Sequence, residues 1–336
     1  MNTVLVTGGL GFIGSNFILN YLESTPESHI LNVDSMSYGS NPLNLVSLTN
    51  DSRYEFVKCD IRDTEKVTRL ISSVETVVNF AAETHVDRSI SDPVSFLQSN
   101  TIGTFSLLEA ARKGNLSKFI QVSTDEVYGS TESTSFTEES ELNPSSPYSA
   151  SKAAADLLAL SYHKTYGLPV VILRCTNNFG PLQFLEKFIP KTIILATLNR
   201  RIPIYGSGLQ VRDWIYVPDF CSAINLALIR GSNGRVYNVS AGNELPNLEV
   251  ANRILNYMKK PSNLIKRVED RPAHDARYSL NSQRIREELG WAPSLKFNEA
   301  LHATVDWYLA NEAWWNPLVN DRILSPTPWK ENWSQG

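Results

Sequence analysis

The run Gly8-Gly9-Leu10-Gly11-Phe12-Ile13-Gly14 does most to restrict what this chain can fold into. It follows Thr3 to Val6, which reads as a strand. It opens into Phe12 to Leu22, where Phe12, Ile13, Phe17, Leu19 and Leu22 recur at helical spacing. Gly8 allows a tight turn. Gly11 lets a backbone approach a pyrophosphate with no Cβ in the way, and Gly14 lets the helix pack closely on the strand. The start of that helix offers free N–H groups and a positive dipole end to phosphates.

The pattern continues in the same sense. Ile30 to Val33, Tyr54 to Cys59, Val74 to Phe80, Phe119 to Val122 and Val170 to Arg174 read as further strands. Helical stretches lie near 64–72, 94–113 and 148–166. Repeated βα units with continuous apolar strands predict a doubly wound parallel α/β sheet covered on both faces. Beyond about residue 180, prolines at 181, 190, 203, 218, 246, 261 and 272 punctuate shorter elements, which predicts a smaller second lobe. Residues 211–243 are expected to return to the sheet, because Arg235 to Ser240 is again β-like. The expected division is therefore 1–180 with 211–243 for a dinucleotide, and 181–210 with 244–336 for a substrate. A last helix is expected over Asn298 to Trp315. Trp307, Trp314, Trp315, Trp329 and Trp333 serve there as packing anchors.

Asp34 ends the second strand, 20 residues after Gly14. An acid there accepts from an adenosine ribose hydroxyl and repels a 2′-phosphate, and no Arg or Lys occurs between Asp34 and Arg53, so NAD is favoured over NADP. Asp60-Ile61 closes the third strand, suited to an adenine amino group and its face. Ala81-Ala82-Glu83 closes the fourth, where small side chains let a flat cofactor lie against the backbone. Tyr148 and Lys152 stand at i and i+4, on one helix face. A nearby ammonium favours the phenolate, which makes Tyr148 a base that takes a hydroxyl proton as hydride leaves. Thr124 can bond a substrate hydroxyl. Asp125 and Glu126 are adjacent carboxyls, one of which becomes an acid and the other a base if their surroundings differ.

The net charge of −4 argues against a nucleic-acid partner. No run approaches the roughly 18 apolar residues of a membrane span, and no signal peptide fits. The three cysteines form no CxxC and read as reduced thiols in a cytoplasmic protein. Five histidines show no metal-ligand spacing, and no metal is expected.

These motifs together resemble the extended short-chain dehydrogenase/reductases, and more narrowly the dTDP-glucose 4,6-dehydratases. The resemblance is carried by Gly8 to Gly14, Asp34 with Tyr38, Asp60-Ile61, Ala81 to Ser89, Ser123 to Gly129, Tyr148 to Lys152, Asn177-Asn178, Arg212-Asp213-Trp214 and Asp270 to Asp275. It implies a Rossmann-type domain with a smaller sugar-nucleotide lobe, and dTDP-glucose as substrate. It also implies three stages with tightly held NAD. Tyr148 takes the C4 hydroxyl proton as the C4 hydride leaves. Glu126 then removes the C5 proton while Asp125 protonates the departing C6 hydroxyl. The hydride finally returns to C6, and C5 is reprotonated.

By the same resemblance NAD meets Gly8, Gly11, Phe12, Ile13, Gly14, Asp34, Ser35, Met36, Ser37, Asp60, Ile61, Ala81, Ala82, Glu83, Ser99, Tyr148, Lys152 and Asn178. Ser99 stands where such chains usually carry threonine. The sugar nucleotide meets Thr84, Thr124, Asn177, Lys187, Phe188, Pro203, Ile204, Tyr205, Arg212, Asn247, Asp270, Arg271, Pro272, Ala273 and His274. Lys187, Arg212 and Arg271 supply the charge for a diphosphate. Ala273 replaces the usual glycine, which leaves UDP-glucose or another NDP-hexose open. A 4-epimerase or decarboxylase shares Tyr148 and Lys152 but does not need the acid pair. A non-catalytic NAD-binding sensor or RNA-associated protein that keeps the fold is the remaining alternative. A homodimer is implied, with the helices at 94–113 and 148–166 forming a four-helix bundle.

Overall fold

The structure is a computed structural model that describes residues 3–333. Twelve strands follow one another: β1 (Thr3–Thr7), β2 (His29–Asp34), β3 (Tyr54–Lys58), β4 (Thr76–Asn79), β5 (Lys118–Thr124), β6 (Val170–Cys175), β7 (Asn177–Phe179), β8 (Ile202–Tyr205), β9 (Val211–Tyr216), β10 (Val236–Val239), β11 (Glu244–Pro246) and β12 (Ile265–Val268). Seven of them form one parallel sheet in the order β10-β6-β5-β4-β1-β2-β3. The strand order reverses between β1 and β4, and ligands of such sheets lie in the crevice outside the carboxyl ends at that point.

Alternation along β1 builds both cores. Val4 and Val6 face one layer with Phe17 and Ile18 of the helix Phe12–Ser24 and Phe220 and Ile224 of the helix Val217–Arg230. Leu5 faces the other, with Val67, Ile71, Leu107, Leu108 and Ala159. A third core around Phe179, Ile193, Trp214, Ile254, Leu301, Tyr308 and Trp315 belongs to the later part of the chain. There β9 pairs with β7 in parallel and with β11 antiparallel, and β12 pairs with β8 in parallel.

Three expectations need correction. Residues 211–243 return to the large sheet only in part: β10 pairs with β6, but β9 belongs to the three-stranded sheet. The stretch 94–113 is not one regular helix. It runs Pro93–Phe96, widens to a π-turn over Leu97–Ile102, and resumes at Gly103–Lys113, where a Cβ on Gly103 would lie 2.4 Å from Ile61 Cδ1. The last long helix covers Phe297–Ala310 and stops at Asn311, whose side-chain amide and backbone N–H both turn to the Trp307 carbonyl, at 2.8 and 3.0 Å. Helix resumes for Glu312–Trp315. No helix among the described residues is long and apolar enough to cross a membrane.

Candidate active site

The crevice is a cavity of about 600 Å³. At its floor Gly8 has φ +69°, and a Cβ there would stand 2.7 Å from the Ala81 nitrogen, so the turn and the β4 end can touch only with glycine in place. A Cβ on Gly14 would meet the Gly8 carbonyl at 2.5 Å. The Phe12–Ser24 helix begins at Gly11 with no side-chain cap, which leaves its first N–H groups to the cavity. Asp34 accepts from the Leu10 N–H at 3.0 Å and, through its other oxygen, from the Met36 N–H and the Ser40 hydroxyl, each at 2.8 Å. It thus ties the glycine turn to the loop that follows β2.

Of the residues expected to hold the cofactor, all line this cavity except Met36, which is exposed and contributes only its backbone bond. Asp60 is engaged by Arg62, whose Nη2 donates to it at 2.6 Å. This pairing lowers the Asp60 pKa and brings Arg62 into the cavity wall. These residues fit a dinucleotide: a glycine cradle that a Cβ would fill, an uncapped helix start, an acid after β2 and small side chains after β4.

The chemical groups converge at the other end. Ser146 caps the helix Pro147–Tyr166 in a reciprocal pair with Ser149, which sets the start of the helix that carries Tyr148 and Lys152. Farther along, Asp156 accepts from Arg174 Nε on β6 at 2.8 Å and from the Ser123 hydroxyl on β5 at 3.0 Å. The helix is thereby pinned to the two strands that end in the active site.

The Lys152 ammonium is hydrogen bonded away from Tyr148. Its Nζ donates to the Val122 carbonyl at 2.7 Å, and burial pushes its pKa down. Tyr148 is pushed up, by burial first and then by the charge of Glu126. Without a further positive charge the phenol therefore keeps its proton.

The two adjacent carboxyls stand in different surroundings. Asp125 lies buried against Thr124, whose hydroxyl donates to its Oδ1 at 3.1 Å, while Oδ2 is buried with no partner among the described residues. Burial, followed by the Glu126 charge, holds Asp125 well above the usual carboxylate range. Glu126 is also raised by burial, but Arg271, Arg212 and Lys187 oppose that rise. Spacing alone does not reveal Tyr278, whose hydroxyl donates to Asp275 at 2.6 Å and lies 3.5 Å from Glu126 Oε2. Cys175 is a thiol, pushed up to about 12 by burial.

Thr84, Thr124, Asn177 and Lys187 line the cavity, and Lys187 Nζ donates to the Thr84 carbonyl at 2.8 Å. The remaining residues expected at the sugar nucleotide lie outside its lining. Phe188 packs on Trp214, with ring centres 5.9 Å apart. Pro203, Ile204 and Tyr205 lie on β8, with Ile204 in the interior and the Tyr205 hydroxyl on Asp87 at 2.9 Å. Arg212 bonds the Val211 and Asp275 carbonyls and stacks on Tyr278, 4.1 Å from its centre. The Asn247 N–H meets the Gln210 carbonyl at 3.1 Å.

Arg271 pairs with Asp87 at 3.3 Å, and His274 with Asp270 at 2.5 Å. Burial, with Arg271 adding, lowers His274 to about 4. Pro272 and Ala273 lie between these two pairs in sequence, and Ala273 has φ +49°, the left-handed region where glycine fits best. Among the described residues no group of three His, Cys, Asp or Glu side chains could hold a metal ion.

A dinucleotide cradle at the reversal of a doubly wound sheet, facing a Tyr–Lys pair on one helix, defines a Rossmann-fold enzyme of the short-chain dehydrogenase/reductase class. The chain belongs to the GDP-mannose 4,6 dehydratase family, whose model matches residues 5–304. It is 46% identical to a dTDP-glucose 4,6-dehydratase of Streptomyces niveus, over 97% of this chain and 98% of that protein. The crystal structure of DesIV, the dTDP-glucose 4,6-dehydratase of Streptomyces venezuelae with NAD bound, superposes with a TM-score of 0.93 at 43% identity, over 94% of this chain and 100% of that one. A UDP-glucuronic acid 4-epimerase from Bacillus cereus has the same fold, with a TM-score of 0.87 over 92% and 99% of the two chains, at only 27% identity.

Proposed function

We propose that this protein converts dTDP-glucose to dTDP-4-keto-6-deoxyglucose and water with NAD that is not consumed. The observation that carries this reading is the difference between Asp125 and Glu126. One is buried, hydrogen bonded by Thr124 and held well above the usual carboxylate range, with a free oxygen for a leaving hydroxyl. The other is faced by three cations that favour its charged form. An epimerase, which eliminates nothing, has no use for such a pair.

When bound, NAD supplies the hydride acceptor for C4, the hydride donor for C6 and a positive ring charge. Tyr148 then takes the C4 hydroxyl proton, with Thr124 bonded to the sugar beside it and Lys152 on the ribose. The 4-ketone acidifies C5, and Glu126 takes that proton. Asp125 gives its own to the C6 hydroxyl, which leaves as water. Lys187, Arg212 and Arg271 hold the diphosphate, and the segment Asp270–His274 meets the base. The large-sheet lobe holds the cofactor, and the sugar nucleotide lies between it and the later part of the chain, with Arg212 of β9 on the substrate side.

Three buried, unpaired thiols support a reducing compartment, which we take to be the cytoplasm. Apolar side chains left open on the helices Gly103–Lys113 and Pro147–Tyr166 support a homodimer.

Incubation with dTDP-glucose should give a product that absorbs in alkali, as 4-keto-6-deoxy sugars do. Recovery of a C4 epimer alone would overturn the reading. The same assay with UDP-, CDP- and GDP-glucose decides the base. Glu126→Gln should permit oxidation yet block elimination, so that reduced cofactor accumulates on the protein. Normal dehydration by that variant would remove Glu126 from the role of base.

A further inference from the structure

Trp333 has no part in the chemistry above, yet it closes a stack that begins at the cavity wall. The Arg88 guanidinium carbon sits 3.9 Å from the centre of the Tyr38 ring and 5.0 Å from that of Trp333. The two rings meet edge-on, 5.5 Å apart and inclined at 71°. Arg88 and Tyr38 both line the cavity. Arg88 Nη1 donates to Glu83 Oε2 at 2.8 Å, and the Tyr38 hydroxyl to Glu186 Oε2 at 2.7 Å. Arg88 Nε is buried with no hydrogen-bond partner among the described residues, and the two rings cover the guanidinium beside its ion pair with Glu83. Tyr38 stands in the loop whose Met36 N–H and Ser40 hydroxyl both bond Asp34.

Trp333 is anchored in its turn. Its indole N–H donates to the Pro328 carbonyl at 2.8 Å, and Arg322 stacks on it at 4.4 Å. The same segment is tied to the body of the protein by Lys191, whose Nζ donates to the Ser325 carbonyl at 2.7 Å. Trp329 adds an edge-on contact with Tyr205 at 4.8 Å.

We propose that Trp333 is a positioning residue for cofactor retention. By closing the Arg88–Tyr38 stack from outside, it fixes the loop after Asp34 and the Glu83 wall, and so slows the departure of NAD. The inference rests on the reading above that NAD stays bound through the cycle. With Trp333 truncated, one side of Arg88 loses its ring, and the Asp34–Ser40 loop opens more often. A change of this kind acts mainly on dissociation.

The test is the rate at which NAD leaves the purified protein, followed after rapid dilution for the parent, Trp333→Ala, Trp333→Leu and Trp333→Phe. The alanine and leucine variants should release NAD roughly tenfold faster, and phenylalanine, which keeps a ring on Arg88, within about twofold of the parent. Leucine keeps apolar volume and serves if the alanine variant does not fold. Saturating NAD should return the kcat of both fast-releasing variants to near the parent value, which a general structural loss would not allow. Release at the parent rate, or a kcat that stays low at saturating NAD, makes Trp333 a packing residue and overturns the proposal. A parent protein that binds no NAD would instead overturn the proposed function.

Discussion

Asn100 holds both polar groups of the Glu83 backbone: its Oδ1 accepts from the N–H at 2.8 Å and its Nδ2 donates to the carbonyl at 3.0 Å. The same Nδ2 reaches the Ser151 hydroxyl at 2.9 Å, and Ser151 in turn donates to the Tyr148 carbonyl at 2.7 Å. The π-turn at Leu97–Ile102 carries Asn100 into this position. One buried amide thus locks the cofactor wall to the helix that bears Tyr148. Asn100→Ala should lower kcat by about 10- to 100-fold through lost alignment, and stability by roughly 1–3 kcal/mol because backbone partners are left unpaired. Steady-state kinetics and urea unfolding check both. An unchanged kcat in a folded variant would show that the lock does not set the reactive geometry.

Asp125 makes stability depend on pH in a definite direction. Burial, with the Glu126 charge adding, raises its pKa in the folded protein. The folded state therefore keeps a proton that the unfolded chain releases near pH 4. The stability from this group is complete below that pH and is lost as pH rises through the folded value. Asp125→Asn has nothing to ionise. Its Tm should exceed the parent's at pH 8, by on the order of a few degrees, and the margin should shrink towards pH 4. Its kcat should fall by roughly 10²- to 10⁴-fold, because the leaving hydroxyl loses its acid. A margin that grows towards low pH would contradict a proton held on Asp125.

The cofactor half of the site is legible in sequence because its rules are local. Gly8, Gly11, Gly14 and Asp34 answer to one turn and one strand end, and they line the cavity as the spacing predicts. The Tyr148–Lys152 spacing is equally local, yet it does not reveal where the lysine's hydrogen bond goes: the Val122 carbonyl, thirty positions away, takes the ammonium. Asn100 with Glu83, Arg88 with Trp333 and Tyr278 with Glu126 are invisible in sequence for the same reason. Each partner lies on a different element, and only packing decides that they meet. The short strands β7, β8, β11 and β12 are missed because three or four residues are too few to show a period.

Ala273 occupies the left-handed region at φ +49°. An L-residue there crowds its Cβ against the following carbonyl at a cost of about 1–2 kcal/mol. Glycine removes the crowding but adds freedom to the unfolded chain, which costs about 0.4–1 kcal/mol. Ala273→Gly should therefore gain roughly 0.5–1 kcal/mol in urea unfolding. It should also lower KM for the favoured sugar nucleotide, because the Asp270–His274 segment settles without strain. A loss of stability would mean that the methyl group packs against something that compensates for its backbone.

Large apolar side chains stand open on two neighbouring helical stretches: Leu97 at 50% exposure, Ile102 at 51%, Phe105 at 42% and Leu157 at 58%. Phe105 lies edge-on to Tyr162 of the second helix, 6.5 Å between centres, so the two stretches lie side by side. A monomer that left this face in water would carry an association surface, and a second copy with the same face can cover it about a two-fold axis. Sedimentation equilibrium should give twice the mass of the chain. The double variant Phe105→Asp/Leu157→Lys should shift the mass to that of one chain, since a two-fold interface receives each charge twice in an apolar setting. Tyr148 and Lys152 lie on the second helix of this face, and Thr101 on the first bonds the Ser151 carbonyl at 3.1 Å. The monomeric variant should therefore also lose activity, with kcat falling more than KM rises, because the helix that aligns Tyr148 has lost its outer support. A monomer with full turnover would separate the interface from catalysis, and a double variant that stays dimeric would place the interface elsewhere.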